Sequence, residues 1–126
     1  MRILLDSHVA LWWLEDSQSL GPESRDLITS ADEAFVSAVT PWELGIKRSL
    51  GKLSMPDGLV GVLEADGFTM LSITAAHAEA SPLLPAIHRD PFDRMLVAQA
   101  QLEALALLTA DAGLQDYEVE QFDARS

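Results

Sequence analysis

Short apolar runs, Ile3-Leu4-Leu5, 34–39, 68–73 and Ala106-Leu107-Leu108-Thr109, alternate along the chain with longer stretches whose apolar residues recur at helical spacing. Runs of this kind fit strands covered on both faces, and strands that alternate with helices pack as a parallel sheet. The pattern predicts an α/β fold with a central parallel sheet of four or five strands. It also fixes where chemistry belongs, because parallel α/β sheets bind ligands beyond the carboxyl ends of their strands.

Local signals place the helices. Ser7-His8 leads into the apolar stretch 9–14, read as a helix packed into the core or against a partner. Trp12 and Trp13 point about 100° apart there, so that one faces the core and the other an interface. Pro22 fits the first turn of a helix reaching Ser30, with Leu27 and Ile28 inward. Thr40-Pro41-Trp42-Glu43 reads as an N-terminus with Thr40 as cap, Pro41 first and Glu43 closing a capping box; this helix runs to Leu50, with Gly51 at its end. Asp57 is placed as the cap of a helix over 58–65, and Thr74 as the cap of one through Leu83. Asp90-Pro91-Phe92-Asp93 opens the longest helix, to about Ala104, and a short helical turn and a weak strand over 119–122 follow.

Composition narrows the function classes. The 126 residues are 48% hydrophobic and 22% charged, which fits one globular domain over 1–126. Twenty acids against eight Lys and Arg give a formal net charge of −12, which opposes a broad basic surface for nucleic acid or anionic lipid. The absence of Cys removes disulfides, thiolate metal sites and Cys nucleophiles, and three His leave little for a histidine metal cluster. No run approaches the roughly 18 apolar residues of a membrane span, and the apolar run near Met1 is too short for a signal peptide, so a cytoplasmic location is the expectation. There is no phosphate-binding P-loop or dinucleotide fingerprint, and Ser37 and Ser49 lack a nucleophile-elbow context.

The acids carry the functional signal. Asp6 and Asp111 each follow a predicted strand, Glu43 falls in the first turn after the second strand, and Asp90 and Asp93 begin the long helix. This architecture can bring all of them to one edge, and like charges so close require a cation or protons. Carboxylates without Cys or His partners suit Mg²⁺ or Mn²⁺, and metal-assisted phosphodiester hydrolysis is the natural chemistry. Each acid also has a structural reading: Asp90 as N-cap, Glu43 as half of its capping box, Asp111 as a turn residue, Asp93 as a partner of the helix dipole. Asp6 resists such a reading, because an acid after a buried strand needs a partner or a wet cleft. His8 and His88 lack metal-ligand spacing and are placed at the surface or in support. Lys47, Arg48 and Lys52 form one basic patch and Arg89 and Arg94 another, solvated or in contact with phosphate.

Leu4-Leu5-Asp6-Ser7-His8, Pro41-Trp42-Glu43-Leu44-Gly45-Ile46-Lys47, His88-Arg89-Asp90-Pro91-Phe92-Asp93-Arg94 and Leu108-Thr109-Ala110-Asp111 together resemble PIN-domain proteins, specifically VapC-type toxins. The resemblance spans essentially the whole chain in order and spacing. It implies a three-layer α/β/α PIN-like fold and an endoribonuclease dependent on Mg²⁺ or Mn²⁺. By motif, the catalytic and metal-binding acids are Asp6, Glu43, Asp93 and Asp111. Asp93 is chosen over Asp90 because the family's Ala- and Leu-rich helix follows its acid directly, as Arg94-Met95-Leu96-Val97-Ala98 does here; Asp90 then caps that helix. Thr109 matches a supporting hydroxyl.

The resemblance further implies an RNA substrate of the tRNA or rRNA class, a homodimer, and an antitoxin whose basic C-terminal segment lies along a groove and reaches the acids. The stretch 9–14 and the Trp42 helix are candidate surfaces for these partners, and Lys47, Arg89 and Arg94 are candidate RNA contacts. Two other classes compete: a non-catalytic PIN-like module that binds a basic partner, and a phosphotransfer receiver domain. The second lacks its phosphate-contacting Lys after a late strand, since the only lysines are Lys47 and Lys52.

Overall fold

The computed structural model describes residues 1–126. Five parallel strands, β1 (Arg2–Leu5), β2 (Glu33–Ser37), β3 (Thr69–Leu71), β4 (Ala106–Thr109) and β5 (Gln121–Asp123), lie in the order β3-β2-β1-β4-β5. The helices are α1 (Ser7–Leu14), α2 (Pro22–Ser30), α3 (Val39–Ser49), α4 (Leu59–Ala65), α5 (Ala75–Ala80) and α6 (Pro91–Glu103). The expected parallel sheet is present, with the last weak strand as its fifth member.

Alternation along β1 shows why three layers form. Ile3 and Leu5 pack into one core with Val9 and Ala10 of α1, Ile28 of α2, Leu59 and Leu63 of α4, and Val36 and Leu108 of the neighbouring strands. Leu4 points the other way, into a second core with Phe35, Leu107 and the α6 residues Leu96, Val97 and Ala100. Both faces of the strand are thus covered, which explains a run without polar alternation. The chain adds β2 and β3 on one side of β1, then crosses back to lay β4 and β5 on the other. The strand order reverses between β1 and β4, and a crevice at their carboxyl ends is the geometric result.

Several local expectations change. The second strand was expected to reach residue 39, but it ends at Ser37, whose hydroxyl accepts the Val39 N–H at 3.0 Å as α3 begins. Thr40 and Glu43 form no capping box, because tertiary partners claim both side chains: Thr40 Oγ1 pairs with Ser7 Oγ at 2.9 Å, and Glu43 pairs with Lys47. A capping box forms instead at Thr74, whose N–H donates to His77 Nδ1 while its hydroxyl accepts from the His77 N–H. Asp57 does not cap α4; it pairs with Arg48, and Gly58 in a left-handed conformation starts the helix. The helix after Thr74 stops at Ala80 and tightens into a 3₁₀ turn over Ser81–Leu83, where Pro82 removes a donor. The last strand lies at Gln121–Asp123 and not over 119–122.

Candidate functional site

Asp6 directly follows β1 at the reversal of strand order. Its N–H donates to Leu108 O at 2.9 Å, extending the ladder with β4, and its carboxylate caps α1 by accepting the His8 N–H at 3.3 Å. The side chain is 6% exposed. Burial pushes the Asp6 carboxyl up, and the hydrogen bond from Thr109 partly opposes that shift. Thr109, the last residue of β4, is therefore a joint: its hydroxyl donates to Asp6 Oδ2 at 2.6 Å and accepts the Asp111 N–H at 3.0 Å.

Glu43 enters from the first turns of α3. One oxygen, Oε2, accepts from Lys47 Nζ at 2.8 Å, an i to i+4 pair on the same helix face, and this bond raises the Lys47 pKa. The other oxygen, Oε1, is buried without a hydrogen-bond partner. Asp93 lies one turn into α6, behind the cap made by Asp90, whose Oδ1 accepts the Phe92 N–H at 2.8 Å. Burial first, and then the charges of Asp6, Asp90, Glu43 and Asp111, push the Asp93 carboxyl up to about 8. Asp111 sits just past β4, with Oδ1 accepting the Gly113 N–H at 2.8 Å.

His88 ties these acids together. Its Nδ1 accepts the Asp90 N–H at 3.1 Å, which leaves the neutral ring's proton on Nε2. That nitrogen stands 3.0 Å from Asp111 Oδ2 and 3.6 Å from Asp93 Oδ2. The ligand atoms of His88, Asp93 and Asp111 lie within 4.8 Å of one another. Gly113 permits the approach, since a Cβ there would come within 2.9 Å of the His88 ring. The sequence placed His88 in support or at the surface; the structure places it between two of the acids.

Asp6, Glu43, Asp90, Asp93 and Asp111 all line one cleft of about 360 Å³, with His8, Trp12, Lys47 and Arg125. The acids named from the sequence are therefore brought to one edge. A buried carboxylate oxygen without a donor and an aspartate that must hold a proton near neutral pH are the marks of a site built around a cation. The donors are mostly carboxylate oxygens, which suit a hard divalent cation, and Asp6, Glu43, Asp93 and Asp111 could hold one.

The basic residues fare differently. Arg94 is not a phosphate contact: its guanidinium donates to the main-chain carbonyls of Ser81, Pro82, Leu84, Pro85 and His88 and to the Tyr117 hydroxyl. It shapes the loop that delivers His88. Lys47 lines the cleft, but its ammonium is engaged by Glu43 and reaches His8 Nε2 at 3.3 Å. Arg89 is exposed beside Asp90. Arg125, which no local signal singled out, reaches the cleft through the fold alone. Of the tryptophans, Trp13 packs edge-on against Phe68, Trp12 lines the cleft, and Trp42 is 59% exposed and edge-on to Phe92.

The family model for the PIN domain matches residues 3–120. The chain belongs to the PIN-domain family, as a member of the VapC type. This PIN domain is 30% identical over 118 residues to Ribonuclease VapC22 of Mycobacterium tuberculosis (strain ATCC 25618 / H37Rv), an alignment covering 91% of each chain. Its fold matches VapBC2 from Rickettsia felis bound to a promoter DNA fragment, with a TM-score of 0.72 and 12% identity over 98% of each chain. It also matches a toxin-antitoxin complex from Klebsiella pneumoniae, with a TM-score of 0.65 and 17% identity over 90% of this chain and 91% of that one. The receiver-domain alternative falls with these matches. No helix of this PIN domain is long and apolar enough to cross a membrane.

Proposed function

We propose that this PIN domain, acting as one unit over residues 1–126, is a Mg²⁺- or Mn²⁺-dependent endoribonuclease and the toxin of a toxin-antitoxin pair. Its substrate class is tRNA or rRNA. The observation that carries the reading is the gathering of Asp6, Glu43, Asp93 and Asp111 in one cleft at the β1–β4 reversal, with a buried Glu43 oxygen left without a donor. The 30% identity to a protein named a ribonuclease supports it.

When bound, the divalent ion supplies Lewis acidity toward water and toward the phosphoryl oxygens. The chain's own residues prepare the place. Thr109 Oγ1 and the His8 N–H hold the two Asp6 oxygens in fixed directions, so the carboxylate needs no reorganisation when a cation arrives. Lys47 offsets the Glu43 charge from one side and leaves Oε1 for the cation. The His88 Nε2–H steadies Asp111 beside Asp93, whose carboxyl holds its proton at neutral pH and would give it up on holding a cation.

The acidic cleft in a chain of net charge −12 attracts a basic segment, which is the chemistry proposed for the antitoxin's C-terminal part. A homodimer and a cytoplasmic location complete the proposal, with the exposed Trp42 and Ile46 of α3 and Leu50 just past its end as one apolar surface for a partner. The test is an Asp6→Asn variant, checked for fold by circular dichroism and assayed on total RNA with Mg²⁺ or Mn²⁺. Cleavage by the unsubstituted protein and its loss in the variant are expected; undiminished cleavage by the variant sinks the assignment.

A further inference from the structure

Arg125 is the one cleft cation that no acid neutralises. Lys47 is bonded to Glu43, whereas the Arg125 guanidinium lies 5.1 Å from the centroid of the Trp12 ring and takes part in no ion pair. Stacking on an aromatic face leaves the planar edge of the guanidinium, with its N–H donors, free for an anion. The position is held firmly by the backbone. The Ala124 N–H donates to Thr109 O at 2.9 Å, the Gly21 N–H to Ala124 O at 2.9 Å, and the Glu23 N–H to Ser126 O at 2.8 Å. Gly21 must lack a side chain for this, because a Cβ there would stand 2.4 Å from Arg125 O. An exposed arginine on a buttoned-down segment has little freedom left to lose on binding.

A second cleft, of about 460 Å³, opens at the carboxyl ends of β4 and β5. It shares Ala110, Asp111 and Arg125 with the acid cleft, so Arg125 stands where the two meet. Phe122 offers it an aromatic surface and Gln115 an amide, the groups that accept a nucleobase by stacking and by edge hydrogen bonds.

Resting on the ribonuclease reading, we propose that Arg125 binds the RNA phosphate next to the one cleaved, and that the cleft over β5 seats the adjoining nucleotide. Arg125 serves the net-negative chain as a local phosphate contact where no broad basic surface exists. It acts on substrate placement and has no part in holding the cation.

The test uses the full chain. Binding of a mixed-sequence single-stranded RNA is followed by fluorescence anisotropy in the Asp6→Asn background over a range of salt, and cleavage is followed with Asp6 intact. Arg125→Ala is expected to weaken RNA binding about tenfold, to lower the slope of log affinity against log salt by about 0.7, and to raise KM more than it lowers kcat. Arg125→Lys, which keeps the charge and loses the fork, should recover part of the binding. Gln115→Glu, which adds a negative charge to the second cleft, should also weaken binding. Calorimetric titration with Mn²⁺ should be unchanged in Arg125→Ala. RNA binding and KM untouched by Arg125→Ala overturn this proposal alone, as does loss of Mn²⁺ binding in that variant. An unsubstituted protein that neither binds nor cleaves RNA overturns it together with the ribonuclease reading.

Discussion

Asp93→Asn is expected to stabilise the metal-free protein by an amount that grows with pH. The Asp93 carboxyl is pushed from 3.8 up to about 8. Between those values the unfolded chain has released a proton that the folded chain still holds. The folded state therefore binds more protons, and stability falls as pH rises. Below about pH 4 both states are protonated and the effect vanishes, while above about pH 8 it is complete. At about 1.4 kcal/mol per pH unit across the interval, the ceiling is about 6 kcal/mol. The cleft opens to water and the neighbouring acids share the proton, so an effective dielectric near 20 applies and about 2–3 kcal/mol is the expected gain. Asparagine keeps the shape and removes the charge. Urea unfolding with a chelator present, at about pH 5, 7 and 9, measures the difference between variant and parent directly. That difference should widen with pH. Adding Mn²⁺ should stabilise the parent and not the variant, because the ion replaces the proton that Asp93 otherwise retains. A difference that stays constant from about pH 5 to about pH 9, or a variant less stable than the parent at the upper end, would refute the electrostatic account of the cleft.

Two further substitutions probe the supports of the site. Arg94→Ala leaves five main-chain carbonyls and the Tyr117 hydroxyl without their shared donor; urea unfolding should show a loss of about 3 kcal/mol, and Arg94→Lys should recover little of it, because one ammonium cannot span those acceptors. Thr109→Val keeps the shape of β4 but removes the donor to Asp6 and the acceptor for the Asp111 N–H. It should cost about 1–3 kcal/mol of stability and lower RNA cleavage at least tenfold, a fall readable in the rate at saturating Mn²⁺.

The acids of the cleft were readable because their positions depend on local order. Asp6 and Asp111 directly follow apolar strands, and Asp93 follows an Asp-Pro helix start, so the strand-helix alternation alone carries them to one edge of a parallel sheet. Glu43 was named for the same reason, yet its local partner was misassigned. Thr-Pro-Trp-Glu meets every requirement of a capping box, but Thr40 is drawn to Ser7 and Glu43 to Lys47, and α3 starts two residues earlier, at Val39, on the Ser37 hydroxyl. Arg94 misled similarly, since a cation beside a cleft acid looks the same in sequence whether it faces a substrate or five carbonyls of its own chain. Arg125 was out of reach altogether, and for His88 the sequence offered a supporting place but not its partners: His88 gains its position from a loop folded around Arg94 and from the bare backbone of Gly113, Arg125 from a segment laid against Gly21.

By itself, then, the sequence determined the layer order, the parallel sheet and the edge at which the acids meet, because those follow from apolar periodicity and from the direction in which parallel strands end. The tertiary structure alone decided which polar side chains face the cleft and which hold the frame. Hydrogen bonds and ion pairs form between groups brought close in space, and most partners of this site lie far apart along the chain: Asp6 with Thr109, His88 with Asp111, and Trp12 with Arg125.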